Sequence, residues 1–135
     1  MQQFPINVLA LLVAAVVRTI IGAIWYSPAL FGAPWMALVQ CTEADMKRRM
    51  PRALIVDLVG NFIMAFVLVH AVHYAGATSL PQGIAVGFFN WIGFVAVATL
   101  FSVNFEGRPF KLFAINNGFQ MLSLLVMGAI VAVWR

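Results

Sequence analysis

Arg18 and Asp57 lie well inside long apolar stretches of a 135-residue chain, and their spacing from the nearest polar boundaries places them at one depth. At about 1.5 Å of rise per helical residue, Arg18 is roughly 10 Å from Trp25 and Asp57 roughly 9 Å from Pro51. A charge among lipid tails costs ~3 to over 10 kcal/mol, so the two are expected to face one another as an ion pair. One carboxylate cannot satisfy the five donors of a guanidinium, and Asn61, Asn116, Asn117 and Gln120 are the amides expected to complete the polar locus. Such a cluster either locks helices into one arrangement or lines a watery cavity where Asp57 handles a proton or a polar solute.

Two other groups could do chemistry. His70 and His73 stand one helical turn apart, a spacing that suits two imidazoles on one metal or a haem ligand. With Cys41 at the opposite boundary as the remaining soft ligand, a closed zinc site lacks donors, so no metal and no cofactor is expected. Ser27, Ser79, Ser102 and Ser123 have no nucleophile context, and Glu43 with Asp45 reads as a helix cap rather than an acid pair. No enzymatic activity is expected.

The elements that must position these residues are helices in a bilayer. The chain is 64% hydrophobic and 9% charged, too apolar for a soluble domain of this size. Spans are expected at about 7–26, 52–74, 82–102 and 111–134, each near the ~20 residues needed to cross. The fold class is therefore all-α integral membrane: one four-transmembrane-helix bundle over 1–135. The first span lacks a basic flank and a cleavage site, and is read as retained. The lone cysteine excludes an intramolecular disulfide.

The net charge of +4 has a topological explanation. Lys47, Arg48, Arg49 and Arg52 enter the second span, and Arg108 and Lys111 precede the fourth, whereas residues 75–80 carry no charge. The positive-inside rule puts both basic loops in the cytoplasm and both termini outside, in an inner membrane. The four basic residues at the second span are also candidates for anionic lipid headgroups. No nucleic-acid partner is expected.

Helical phase assigns the seams. Leu11, Ala14, Ala15, Arg18, Gly22 and Trp25 share one face of the first span. Ala53, Asp57, Gly60, Asn61 and Met64 share one face of the second. Gly83, Gly87 and Asn90 line up in the third as a small-residue packing face, and Asn116, Gln120, Ser123 and Met127 in the fourth. Gly22 and Gly60 are expected to let neighbouring helices approach. Thr42 and Asp45 have capping-box spacing and predict a short helix from Glu43 that Pro51 kinks or restarts.

Between the first two spans runs Trp25-Tyr26-Ser27-Pro28, followed by Phe31-Gly32 and Trp35, an aromatic segment suited to the headgroup layer. With these residues the chain resembles the bacterial membrane family called domain of unknown function 1761. The likeness of layout extends over nearly the whole chain and implies four spans with no assigned activity. In size the chain also resembles small multidrug transporters, but it carries Arg18 where their first span carries an acid. The expected role is a non-enzymatic structural or accessory subunit, self-associating or joined to a larger membrane complex. The alternatives are a small transporter or channel subunit using Arg18 and Asp57, and haem or pigment binding through His70 or His73.

Overall fold

The structure is a computed structural model and describes residues 3–135. Helix α1 covers Val8–Trp25, α2 Gly32–Leu38, α3 Glu43–Tyr74, α4 Leu80–Asn90, α5 Val97–Asn104 and α6 Phe110–Val133, with a π-helical segment at Trp91–Ala96 between α4 and α5. Four helical units are long and apolar enough to cross a bilayer: α1, α3, the continuous α4–π–α5 unit and α6. The all-helical membrane bundle read from the sequence is the fold observed.

Local chemistry sets the helix starts. The Asn7 side chain accepts the Ala10 N–H at 3.1 Å and opens α1. The Thr42 and Asp45 side chains accept one another's backbone N–H groups, each at 3.1 Å, and open α3. Gln82 reaches back to the N–H groups of Thr78 and Ser79 at 2.9 and 3.2 Å, and opens α4. Each device satisfies donors that a helix start leaves free.

Two expectations about the second span are corrected. The short helix from Glu43 does not stop or restart at Pro51; it runs unbroken into the span as a 32-residue helix. Pro51 lies on exposed first turns, where the carbonyl freed by its missing N–H remains open to hydration. The buried seam of α3 is Asn61, Ala65, Leu68 and Val72, whereas Asp57 and Gly60 are exposed. The inward stripe is thus rotated from the one inferred through Ala53 and Gly60.

Helix α6 is the axis of the bundle. Half of its apolar window is buried, against 22%, 22% and 11% for the other three spanning units. Its closest partner is α4, and glycine explains how close. A Cβ at Gly83 would overlap the Gly128 carbonyl, and one at Gly87 would overlap the Leu124 carbonyl. Bare backbone therefore meets bare backbone, and dispersion between the helices is gained along the whole crossing. Gly22 of α1 faces the Phe119 ring, to which a Cβ would come within 3.3 Å. Gly60 does not join this scheme, since nothing lies within 4 Å of a Cβ built there. Asn90 turns its amide to Val86 O of its own helix at 2.8 Å instead of serving an interhelical seam.

Gly87→Ala should lower stability by about 1–3 kcal/mol through forced separation of α4 from α6, while Gly60→Ala should change it by less than about 0.5 kcal/mol. Reversible unfolding in mixed detergent micelles measures both; equal losses would contradict the packing.

Candidate functional site: a polar cavity at the basic end

The first helix buries an arginine, and two other helices supply its acceptors. Arg18 is 4% exposed. Its Nε–H donates to Asn61 Oδ1 of α3 at 2.7 Å and an Nη2–H to Gln120 Oε1 of α6 at 2.8 Å. An Nη1–H donates to Ser123 Oγ, also of α6. The guanidinium carbon lies 4.6 Å from the centre of the Phe119 ring, which adds a cation–π contact.

The expected direct pairing with Asp57 is not what forms. No carboxylate oxygen lies within 4.0 Å of the guanidinium among the described residues. Asn61 stands between the charges: its carbonyl oxygen takes the arginine, and its Nδ2 donates to Asp57 Oδ2 and Thr19 Oγ1, each at 2.9 Å. Asn61 lies one turn further along α3 than Asp57 and one turn deeper in the bundle, so it reaches the buried guanidinium first. The amide carries complementary polarity at its two ends, which makes it a bridge for opposite charges.

The other amides have different partners from those expected. Asn116 Oδ1 accepts from the Tyr26 hydroxyl at 2.7 Å. Asn117 accepts from Trp91 Nε1 at 3.2 Å and donates to Thr99 Oγ1 at 3.0 Å. It thereby joins the start of the π segment to the turn after it. Thr99 in turn donates to Val95 O at 2.7 Å, inside that segment. The wide π turn, of a kind frequent at functional sites, is held to α6 through Asn117. Neither its presence nor the role of Ser123 follows from apolar periodicity.

The aromatic segment is half helical rather than a loop, because α2 begins at Gly32. Trp25 Nε1 donates to Ile115 O at 3.0 Å, and its ring leaves no room for a Cβ at Gly118, which would come within 2.8 Å. The ring of Trp25 packs on Phe31 at 4.7 Å, and that of Tyr26 on Trp35 and Phe119 at 5.5 Å each. Ser27 Oγ donates to Ile24 O at 2.7 Å, and Gly32 N donates to Ser27 O at 3.0 Å. A Cβ at Gly32 would strike the carbonyls of Tyr26 and Ser27, so glycine is required for the tight turn after Pro28. The whole segment is docked on the first turns of α6.

These parts enclose a cavity of about 630 Å³. Its mouth is formed by Glu106 and Arg108, paired at 3.0 Å, on either side of Gly107, whose φ of +66° lets the chain turn. Ser102, Thr99, Asn116 and Asn117 continue the lining toward the buried Arg18 and the half-buried Gln120, with the exposed Asp57 at its flank and Tyr26, Trp35, Leu112, Phe113 and Phe119 as apolar wall. The exposed Asp57 thus faces this polar space. An ionised carboxylate is costly against acyl chains, and among the described residues this space is lined by polar groups that water or a polar solute could meet.

The family comparison places this arrangement. The model of a family described as "Protein of unknown function (DUF1761)" matches residues 9–132. The chain belongs to that family. No curated protein and no solved structure matches it. The matched region contains every residue of the cavity and of the aromatic segment. In this DUF1761 protein, as the family's layout implied, four apolar helical units make up most of the chain.

The remaining candidates fall outside the cavity. The His73 ring is stacked on Phe4 with centres 3.5 Å apart, and the His70 ring meets Phe4 edge-on at 5.1 Å while His70 Nδ1 lies 2.8 Å from Phe66 O. Among the described residues no group of three metal-ligating side chains occurs. Lys47, Arg48, Arg49 and Arg52 project from the exposed first turns of α3, with Arg48 held by Asp45 at 3.1 Å.

Asn61 is the residue whose loss should cost most. Asn61→Leu removes an acceptor from a buried cation and should destabilise by about 1.5–3 kcal/mol; Asp57→Asn keeps an acceptor for the Asn61 amide and should cost far less. Unfolding midpoints of the two variants in lipid bicelles test this, and a larger loss for Asp57→Asn would mean that the charges pair directly.

Proposed function

We propose that the protein is a small solute-carrying membrane protein of the cytoplasmic membrane, working by binding and release. Its basic end faces the cytoplasm and both termini face outward, as the arginines and lysine of the two loops favour. The observation that carries this reading is the set of polar side chains that lines one cavity from Glu106 and Arg108 to Arg18, beside an apolar wall, with the exposed Asp57 among them. A cluster serving solely to lock helices has no need of an open approach.

A second cavity of about 360 Å³ lies at the opposite end, lined by Phe4, Asn7, Ala10, Val72, His73 and Arg135 among others. On α1, α3 and α6 alike, the residues between the two cavities are closed: Ala14, Ala15, Ala65, Leu68 and Met127 are at most 2% exposed. From Ala10 to Arg18 this septum is roughly 12 Å thick along the helix. The inward cavity, the outward cavity and the closed apolar layer between them are parts that alternating access would use. The chain in this state is open toward the basic end.

A second reading, an accessory subunit joined to itself or to a larger complex, draws on a different feature. Gly60, Asn90 and Phe94 line an apolar groove of about 390 Å³ on the bundle surface, and a Cβ at Gly60 or Gly93 meets nothing. Gly60→Leu should leave the monomer folded, and loss of crosslinked higher species in native membranes would support this role; unchanged crosslinking would remove it.

Thiol labelling tests the main reading. With Cys41→Ser as background, Ser102→Cys and Thr99→Cys should react with a membrane-impermeant maleimide from the cytoplasmic side, and Met127→Cys from neither side. Failure of Thr99→Cys to label from the cytoplasm would contradict a hydrated, inward-open cavity.

A further inference from the structure

We propose that the cavity takes a small zwitterion, with its carboxylate on Arg18 and its ammonium on Asp57. This inference rests on the cavity being hydrated and open, as proposed above, and adds the chemical class of what enters.

The unspent bonding capacity of Arg18 and Asp57 decides the class. Arg18 has five N–H groups and uses three of them, all on neutral acceptors. A cation that is almost wholly buried is thereby left with free donors and no anion in contact. A carboxylate arriving through the mouth offers charge-assisted bonds roughly twice as strong as the neutral ones it meets now. Asp57 presents the opposite need: one of its oxygens accepts from Asn61, and the other accepts no bond among the described residues. Asn61 holds the two charges apart, so they cannot cancel each other by contact, and each remains available to a separate group of one ligand.

The balance of charge excludes simpler ions. The lining has two cationic side chains, Arg18 and Arg108, and two anionic ones, Asp57 and Glu106. The Glu106–Arg108 pair is already neutralised at the mouth. A bare carboxylate at Arg18 therefore sits near the Asp57 charge, and a bare amine at Asp57 sits near the Arg18 charge. A ligand carrying both groups meets attraction at both ends and brings no net charge into the low-dielectric bundle. The volume of about 630 Å³ accommodates such a molecule with its accompanying water, and Phe119 and Trp35 offer apolar wall to a short methylene chain.

The test uses the full chain in lipid nanodiscs, with thermal unfolding followed by tryptophan fluorescence. The probes are glycine, β-alanine and γ-aminobutyrate, set against butyrate and butylamine. At least one zwitterion should raise the midpoint saturably, with butyrate and butylamine about tenfold or more weaker. Asp57→Asn should weaken that zwitterion by about tenfold or more and leave the unliganded midpoint near that of the parent, because the new amide oxygen still accepts from Asn61. Butyrate or butylamine binding as tightly as the zwitterion, or Asp57→Asn leaving the affinity unchanged, would overturn the assignment. If none of the zwitterions stabilises the protein while Thr99→Cys still labels from the cytoplasm, the ligand class is wrong and the open cavity stands. If Thr99→Cys also fails to label, both fall.

Discussion

A guanidinium withdrawn from water inside a bilayer must find acceptors before anything else in the bundle can settle, and that requirement organises this fold. Arg18 draws Asn61 from α3 and Gln120 and Ser123 from α6 to one point. Three spans are thus held at one level by hydrogen bonds whose alternative is a donor exposed to hydrocarbon. Phe119 covers the face of the cation, and Gly22, one turn after Arg18, leaves room for that ring. Small residues flank the arginine because the helices that serve it must come close.

The fourth spanning unit reaches the axis by different physics. Gly83 and Gly87 on α4 and Gly128 on α6 bring two backbones together over the half of the membrane away from the basic end. Toward the basic end the same unit passes through its π segment, and the direct backbone contact gives way to side chains: Trp91 and Thr99 joined through Asn117. Close packing at one end and a polar spacer at the other leave a wedge between α5 and α6. That wedge, roofed by the aromatic segment between α1 and α3, is the cavity.

Much of this could be read from residues alone, and the failures have physical causes. Equal depth of Arg18 and Asp57 follows from counting residues, and the Gly83, Gly87 spacing follows from helical phase; both are one-dimensional facts. Which group touches the arginine is not, because Asn61 and Asp57 differ by a single turn and a small rotation of α3 exchanges them. The same rotation explains why Gly60 faces outward although it adjoins Asn61. Ser123 was visible on the polar side of the fourth span, but a serine in a span normally bonds its own helix, as Ser123 also does through Gln120 O at 3.1 Å. The Trp25 contact with Gly118 and the Phe4 stack on His73 join residues far apart in the chain, and no local pattern announces them. The π segment has no composition that separates it from the helix around it.

The account stands on Arg18 being held by amides and a hydroxyl, with Asp57 one amide away and facing water. Site-assigned dipolar recoupling in solid-state magnetic resonance, on protein in lipid bilayers, measures those separations directly. The account predicts strong coupling between Arg18 Nε and the side-chain carbonyl carbon of Asn61, weak coupling between the guanidinium carbon and the Asp57 carboxyl carbon, and magnetisation transfer from water to Asp57. Strong coupling from the guanidinium to the Asp57 carboxyl, with no transfer from water, would replace the bridged and hydrated site by a dry ion pair and contradict it.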